Sequence, residues 1–443
     1  MVILLIYQKK GDTMKRSLLL SLVLLPLLAN ALSIDEVIEQ ATKTHPQVQM
    51  KKENYLAEKE LLTRVKSGYL PSVDLSYTVG PEVTKTPANA RQRASLTQHQ
   101  SSVTLTQNVF RGLRDKYGIA QQEALVLSSD DKVKESANKL ALEAATAYLE
   151  VLKTYNLVQV GKENVAVHKK YLDQIEKSVK AGVGRTSDYK QTLSRYQNAL
   201  NIRYLAEQNY VNAISSFKRI YSGDVNVSDL EKPTIGTMPA DDMDSLVEIA
   251  LQNNPTIKVS RDDIQAAQSA LKKSNAPFYP TADIQLKSYW NKDVHGVGYN
   301  GQEGKDNGYS ALLILNYNIF NGLADSSARQ ASKHRLLNKD YTLADSQRFI
   351  KANTEIAWQT YNLTKKQLVY ISNYVKYASQ TVADYYKEHQ LGRRSIIDLL
   401  NIELEHNNAR NAKVTTEYDN LIAYYQILSY TGKIIENLND NAQ

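Results

Sequence analysis

The sequence predicts a mainly α-helical protein with a smaller β section, built from tandem copies of long coiled-coil hairpins that carry two β-strands each. Three observations lead to this prediction. Residues 46–75 align with residues 255–284 at a constant offset of 209. Residues 323–391 contain neither glycine nor proline, and such a span far exceeds an ordinary globular helix. Four shorter segments alternate apolar and polar residues with the period of a strand.

The duplication covers nearly the whole chain. Pro46, Pro71 and Asp74 match Pro255, Pro280 and Asp283 at the offset of 209. Further along, the offset is 210, and residues 109–113 match residues 319–323. Tandem copies of this kind typically build a symmetric wall around an axis.

Residues 1–31 are expected to be a signal peptide, with Met14 as the favoured start. A short basic segment at Met14–Arg16 precedes an apolar run at 17–28, and Ala29–Ala31 fits the A-x-A cleavage pattern. The run is shorter than the 18 or more residues of a spanning helix, which disfavours an uncleaved membrane anchor.

Charge and composition exclude several classes of protein. Removing residues 1–31 lowers the formal net charge from +7 to +4, because four cationic residues and one aspartate lie there. No Lys/Arg block of the kind that binds nucleic acid follows, so nucleic acid is not a predicted partner. The chain has no cysteine, so packing alone must hold it and a lipoprotein anchor is excluded. No metal site or cofactor is predicted. The sequence shows no arrangement of residues typical of a catalytic site, so we do not expect the chain to be an enzyme.

The long helices are predicted from a heptad pattern. One heptad position is occupied, with the polar exception of Thr364, by Leu336, Leu343, Ile350, Ala357, Ile371, Ala378 and Tyr385. Such spacing is typical of a coiled-coil seam. At ~1.5 Å per residue the uninterrupted segment would form a rod of about 100 Å, which needs neighbours along its full length.

Strands are expected at about 72–80 and 102–110 in the first copy, and at about 281–290 and 309–320 in the second. Their alternation and the aromatic residues near their ends are typical of barrel strands that cross a membrane, although a soluble half-buried hairpin fits the alternation equally well. Four strands cannot close a barrel. If they enter a membrane, several chains must therefore share one barrel.

These elements predict five segments. The signal peptide (1–31) is followed by a first repeat (32–222), an inter-repeat equatorial segment (223–254), a second repeat (255–432) and a C-terminal tail (433–443).

The order of the junction and turn motifs, found twice, resembles the TolC family of outer-membrane channel proteins. The motifs are Gly68–Pro71, Pro277–Pro280, Gln107–Gly112, Asn318–Gly322, Gly184–Asp188 and Gly392–Leu400. The resemblance covers about residues 33–432. It implies a homotrimer whose four strands per chain close a 12-stranded barrel above an α-helical tunnel, in the outer membrane of a Gram-negative bacterium and extending into the periplasm.

The function implied by this resemblance is a passive exit duct for type I secretion or efflux. The duct would contact outer membrane lipid, dock to a periplasmic adaptor (a membrane fusion protein) and serve an inner-membrane transporter such as an ABC exporter or RND pump. A periplasmic coiled-coil adaptor or scaffold is the alternative. Adaptors usually carry one hairpin, so two full copies with central strand pairs argue against it.

The resemblance also implies a gate at the ends of the helical hairpins. The latch positions are Arg394, Asp188, Ser187 and His389, where the family has polar links between neighbouring hairpins. Asp398 and Asn401 match the pore constriction, and Asn401 departs from the second acid of some relatives. The turns expected to contact the adaptor are Gly182, Val183, Gly184, Leu391, Gly392 and Arg393.

A purely structural role is the competing interpretation of the two acids. Ser395-x-x-Asp398 also fits a capping box, and Asp188 falls in a first helical turn, where the helix dipole favours a carboxylate. Both roles can hold together.

Overall fold

The structure is a computed structural model that describes residues 32–85, 93–223, 226–294 and 304–436. The expected signal peptide and residues 437–443 of the expected tail lie outside the described residues. The helices are α1 Ile34–Thr44, α2 Pro46–Lys66, α3 Arg114–Lys180, α4 Thr186–Ile220, α5 Met243–Asn253, α6 Pro255–Lys273, α7 Ala324–Gln390 and α8 Ile396–Tyr430. The strands are β1 Ser72–Thr84, β2 Ala94–Arg111, β3 Thr281–Lys292 and β4 Lys305–Asn316.

The two copies produce helices of equal length. Helices α3 and α7 have 67 residues each, and α4 and α8 have 35 each. Both long helices begin after the same left-handed turn, in which Leu113 and Leu323 each have φ of 65°. The uninterrupted segment 323–391 therefore forms a single helix, because no glycine or proline interrupts its hydrogen bonds.

The strands form one antiparallel sheet in the order β1-β2-β3-β4. Directly opposed pairs such as Leu105 with Leu286 and Ile284 with Leu313 place apolar side chains together on one face. Asp74 with Thr104 and Thr106 with Gln285 place polar side chains on the other. The predicted amphipathic strands are thus present, and a short junction joins one end of each strand to a helix.

The expected strand limits differ from those observed. The strand expected at about 309–320 is wrong at both ends, since β4 begins at Lys305 and ends at Asn316. Asn318 ends the strand locally, because its Oδ1 accepts a hydrogen bond from the Phe320 N–H at 3.1 Å. The strand expected at about 102–110 is also too short, since backbone pairing continues from Ala94 through polar residues.

The main core lies near the middle of the long helices, where α1 and the segment before α5 cross α3 and α8. Tyr148 is fully buried there, and its hydroxyl lies 2.8 Å from the Leu32 carbonyl and 2.6 Å from the Glu231 carbonyl. Phe217 packs against the Tyr148 ring with centroids 6.2 Å apart. Tyr148 therefore ties the crossing segments to the rod.

The predicted seam of α7 is buried at Ile350, Ala357 and Ala378. Its polar member, Thr364, accepts a hydrogen bond at 2.8 Å from the buried amide of Asn420 on α8, which also donates to the Tyr361 carbonyl at 2.8 Å. In the part of the chain that the structure describes, no helix is both long and apolar enough to cross a membrane.

Candidate functional site

The hairpins α3–α4 and α7–α8 end side by side, and an apolar cluster joins them. We call this the tip cluster, formed by Tyr171, Leu172, Ile175, Ile396, Leu399 and Leu400. Leu399 and Leu400 are fully buried. The two hairpins therefore meet through packed side chains close to the turns predicted to gate and to dock.

Both turns use the same backbone geometry to end a helix. The N–H of Val183 donates to the Ser178 carbonyl at 3.1 Å, and the N–H of Arg393 donates to the Glu388 carbonyl at 2.9 Å. The glycine before each donor has a positive φ, of 78° in the first turn and 71° in the second. This is the arrangement in which a left-handed glycine terminates a helix.

The predicted docking residues lie at the surface of these turns. Val183 and Leu391 are large apolar side chains that remain exposed. A Cβ at Gly182 or Gly392 would meet no other group, whereas one at Gly184 would lie 2.8 Å from the Val179 nitrogen. Gly184 is thus required by close approach of the backbone, and the other two glycines by their conformation.

Arg394 is held within its own hairpin. Its Nε donates to Glu388 Oε2 at 2.9 Å, and its guanidinium carbon lies 3.9 Å from the centre of the Tyr385 ring. The hydrogen bond to Glu388 raises the pKa of Arg394. His389 Nδ1 lies 2.8 Å from the Arg394 carbonyl. Contacts with Glu388, Tyr385 and His389 therefore fix the position of Arg394, the predicted latch cation.

The predicted acid partner of Arg394 lies on the other hairpin. Asp188 is half-buried in the first turn of α4, and Ser187 Oγ donates to its Oδ1 at 3.3 Å. Arg394 has its ion pair with Glu388 rather than with Asp188 in the single chain. The contact of Arg394 with Glu388 was not predicted from the sequence, because a six-residue separation across a turn has no periodic signal. Tyr385 was predicted only as a residue of the α7 seam.

Asp398 takes part in the cap of α8. Its N–H donates to Ser395 Oγ at 3.1 Å, and the Ser395 hydroxyl lies 2.7 Å from Asp398 Oδ2. The carboxylate thus bonds the capping hydroxyl rather than the backbone N–H of a full capping box. Asp398 as a whole is half-exposed.

Asn401 links the two hairpins. Its Oδ1 accepts a hydrogen bond from Arg195 Nη2 on α4 at 2.6 Å. Arg195 Nη1 is buried and has no hydrogen-bond partner among the described residues. Asn401 therefore has a structural contact within the single chain, which no sequence pattern could predict because Arg195 lies 206 residues away.

A second polar layer lies further from the turns. Tyr171 Oη donates to Glu403 Oε1 at 3.0 Å, and Arg410 Nη2 lies 2.5 Å from Glu163 Oε2. Burial raises the pKa of Glu403 and lowers the pKa of the nearby His168. These pairs connect α3 to α8, and each of them includes an ionisable side chain.

The chain was compared with known families and structures. It matches the family described as "Outer membrane efflux protein" over residues 37–220 and 246–433. The chain belongs to this family. The two matched segments correspond to the two copies of the internal repeat, and the membership confirms the predicted TolC-family resemblance and the outer-membrane localisation.

Several relatives of this efflux-family chain are identified by sequence. It is 22% identical over 423 residues to the alkaline protease secretion protein AprF of Pseudomonas aeruginosa, covering 92% of this chain and 86% of that protein. It is 20% identical over 423 residues to the outer membrane protein TolC of Escherichia coli, covering 92% and 84%. Both relatives are secretion or outer membrane proteins rather than enzymes by name.

Solved channel structures share the fold. The outer-membrane channel OprN aligns with a TM-score of 0.79 at 14% identity, covering 90% of each chain. The CmeC channel of Campylobacter jejuni aligns with a TM-score of 0.78 at 13% identity, covering 93% of this chain and 89% of that one. The predicted fold class of this efflux-family chain, with long helical hairpins and a four-stranded section, is therefore confirmed.

No three His, Cys, Asp or Glu side chains within residues 32–85, 93–223, 226–294 and 304–436 group in a way that could hold a metal ion.

Proposed function

We propose that the chain is the outer-membrane exit duct of a tripartite type I secretion or efflux system and passes substrates without converting them. The observation that carries the proposal is the four-stranded sheet, in which β1 and β4 pair on one side only within the described residues. Open edges in lipid would cost several kcal/mol per unsatisfied group. Three copies of four strands would close a 12-stranded barrel, and the 67-residue helices would continue as a tunnel through the periplasm.

Side-by-side association of copies is supported by the outer flank of α7. In the single chain this flank exposes a row of large apolar side chains, namely Tyr341, Phe349, Ile356, Leu363, Tyr370 and Tyr377. Contiguous apolar surface of this kind marks an interaction site. The proposed organisation keeps the segments 32–222, 223–254 and 255–432 as first repeat, equatorial segment and second repeat of each subunit.

The gate is proposed at the tip cluster. Arg394 would link to Asp188 and Ser187 of a neighbouring hairpin, with His389 holding the Arg394 backbone. Each solvent-reached link contributes only ~0–1 kcal/mol, so a partner could open the ring. Asp398, together with Asn401, would line the constriction, where carboxylates around an axis favour cations.

The proposed partners are supported by the exposed turns. Residues 182–184 and 391–393 would contact a periplasmic adaptor, and the adaptor would connect the duct to an inner-membrane transporter of the ABC or RND class. The exposed apolar side chains of Val183 and Leu391 suit a helical hairpin partner with apolar contacts.

The experiment is single-channel recording in planar bilayers. Replacing Arg394 and Asp188 together with alanine is expected to raise the conductance, because the latch between hairpins is lost. The matched control replaces Lys387 and Asp384, an exposed ion pair at 3.4 Å near the C-terminal end of α7. Unchanged conductance in a correctly assembled Arg394→Ala/Asp188→Ala variant would remove these residues from the gate. A chain that forms no channel at all would contradict the duct itself.

A further inference from the structure

A cavity of about 560 Å³ lies where the sheet meets the long helices, and we call it the junction cavity. One side of it is a single cross-strand row, in which Arg111 on β2 opposes Thr281 on β3, and Thr281 opposes Asn316 on β4. Side chains of α3, α6 and α7 form the other sides. The volume lies within the roughly 300–1,000 Å³ that is usual for small-molecule sites.

The junction cavity lies on the polar face of the sheet. Alternate residues of a strand point to the same side, so Thr281 shares a face with Gln285. The adjacent row of Phe110, Ala282 and Leu315 belongs to the apolar face, and none of its members lines the cavity. In the proposed barrel the apolar face contacts lipid, so the junction cavity faces the lumen.

Positive charge predominates in the junction cavity. Its wall contains Arg111, Arg114 and Lys273, whereas Asp325 is the one carboxylate that lines it among the described residues. Arg111 has a long ion pair, with Nη1 3.9 Å from Asp115 Oδ1, and 40% of its side-chain surface is exposed. Its remaining N–H donors can therefore bind an anion in the cavity.

Lys273 reaches the same space from α6. Its Nζ donates to Gln121 Oε1 on α3 at 3.3 Å. A Cβ at Gly118 would lie 3.9 Å from this Nζ, so the ammonium lies directly against the backbone of α3. The side chain thus bridges two helices, and the ammonium keeps two further donors for a ligand.

The internal repeat shows that the junction turn does not require the two arginines. At the offset of 210, Asn321 and Ala324 stand in place of Arg111 and Arg114. Both copies nevertheless form the same backbone turn, with a glycine φ of 61° or 54° followed by a leucine φ of 65°. The fold of the turn therefore does not explain why the first copy carries two cations.

The rest of the wall is largely apolar. Ala270, Ala276, Pro277 and Tyr279 line the junction cavity beside the cations. Binding sites for small molecules typically combine such apolar surface with a few polar groups that orient the ligand. A ligand that complements this wall has an apolar body and a negatively charged group.

We propose that the junction cavity binds an organic anion with an apolar body, such as an aromatic carboxylate, during its passage through the duct. This inference rests on the proposed function, because it places the ligand in the lumen. The carboxylate would accept hydrogen bonds from Arg111, Arg114 and Lys273, while the apolar body packs against Tyr279 and its neighbours. Fixed cations around the lumen would also raise the local concentration of anions.

A second cavity extends the positive surface along the helices. It has a volume of about 450 Å³ and shares Gln121 and Ala270 with the junction cavity. Three cationic side chains line it, and Asp263 is its one carboxylate among the described residues. The surface that favours anions therefore continues from the sheet along α3, α6 and α7.

Single-channel recording of the assembled protein in planar bilayers tests the site with two probes of the same shape. These are 2-naphthoate, which is an anion at pH 7, and its neutral amide, 2-naphthamide. We expect naphthoate to reduce the current, and naphthamide to need at least about a tenfold higher concentration for the same effect, since charge-assisted hydrogen bonds are lost. Acetate, which has the charge without the apolar body, should block weakly as well.

The test variant is Arg111→Asn/Arg114→Ala, which carries the residues of the second copy at both positions. The matched control is Lys116→Ala/Lys272→Ala, which removes two positive charges from the same level of the chain. Both of these ammoniums lie 5.8 Å from the centre of the Tyr117 ring, and neither lines the junction cavity.

The concentration of naphthoate that halves the current should rise at least about fivefold in the test variant and stay unchanged in the control. Lys273→Gln, which alters α6 instead of the junction, should raise it in the same direction. If the test variant fails to assemble, an unchanged value in Lys273→Gln would overturn the site.

Three other results would also overturn the site. They are absence of block by naphthoate in an intact channel, equal block by naphthamide, and an equal rise in the control variant. An unmodified chain that forms no channel would instead contradict the proposed duct, and the site with it.

Discussion

Arg394 Nε lies 2.9 Å from Glu388 Oε2, and the two residues lie on opposite sides of the turn that connects α7 to α8. The cation that the proposed gate would use is therefore paired inside its own hairpin. Because both side chains are partly solvent-accessible, this pair is a weak interaction that a second carboxylate can replace. A link to Asp188 of a neighbouring hairpin must compete with Glu388.

The first prediction concerns this competition. Glu388→Gln keeps the shape of the side chain but removes its charge, so Arg394 should pair more often with Asp188 of the neighbouring hairpin. We expect the open probability in planar bilayers to fall by roughly two- to tenfold, since a few weak links act together. Asp384→Asn, which alters an exposed pair with Lys387, is the control and should behave as the unmodified chain. A Glu388→Gln channel that opens more readily would show that Glu388 instead orients Arg394 for the latch.

The second prediction concerns Glu403, whose pKa is raised because the carboxyl is partly buried between α3 and α8. A carboxyl with a raised folded-state pKa stabilises the fold below its unfolded pKa, and this contribution is lost as the pH rises through the folded pKa. Glu403→Gln should therefore raise the unfolding temperature at pH 7 and have little effect at pH 4, while its amide oxygen still accepts from Tyr171.

Thermal unfolding in detergent at the two pH values is the measurement for this prediction. Glu405→Gln is the matched control, because Tyr374 Oη donates to Glu405 Oε1 at 3.1 Å in the same manner but at an exposed site. A gain at pH 7 that persists at pH 4, or that Glu405→Gln reproduces, would contradict the assignment to burial of the charge.

The third prediction concerns the buried amide in the α7–α8 seam. Asn420 is 3% exposed and donates to both the Tyr361 carbonyl and Thr364 Oγ1 at 2.8 Å. Asn420→Ala should lower the free energy of unfolding by about 1–3 kcal/mol, since it leaves buried acceptors unpaired. Thr364→Val removes only one acceptor and should cost less. Denaturant unfolding measures the free energy of unfolding of both variants. A larger decrease for Thr364→Val than for Asn420→Ala would contradict the prediction.

The long-range repeat and the helix ends could be predicted from the sequence. A segment free of glycine and proline became α7 Ala324–Gln390, and the turn glycines 182 and 392 have positive φ. These features depend on the backbone conformations that glycine and proline favour or exclude, and these preferences belong to the residues themselves. The heptad spacing likewise placed Ile350 and Ala357 at buried positions because it reflects one face of a helix.

The strand ends and the polar links between hairpins could not be predicted. Strand β2 extends to Ala94 because backbone pairing, unlike side-chain burial, does not require an apolar residue. The Arg195–Asn401 contact joins residues 206 positions apart, and it depends on how α4 and α8 are rotated about their axes. Strand β4 ends at Asn316, close to the hydrogen bond from the Phe320 N–H to Asn318 Oδ1, and the alternation of apolar and polar residues carries no signal for that turn.

The fourth prediction uses a matched pair of glycines in the two junctions. A Cβ at Gly112 would lie 2.4 Å from the Ala276 carbonyl oxygen, whereas one at Gly322 would meet no group in the single chain. In the proposed barrel, where β4 of one subunit would lie beside β1 of the next, the repeat offset of 209 makes Ser67 of the next subunit the counterpart of Ala276. Gly112→Ala should therefore impair folding of the chain itself, and Gly322→Ala should allow the chain to fold but block assembly.

Native electrophoresis separates the two effects. A side chain at positive φ destabilises the fold by about 1–2 kcal/mol in both variants. The difference in stability between the two folded chains therefore reports only the steric clash of the Cβ at position 112. We expect folded monomers to accumulate for Gly322→Ala, with a protease resistance of the helical hairpins like that of the unmodified chain. Normal oligomers from Gly322→Ala would mean that the seam leaves room for a Cβ, and that β4 and β1 do not meet in the geometry of β2 and β3.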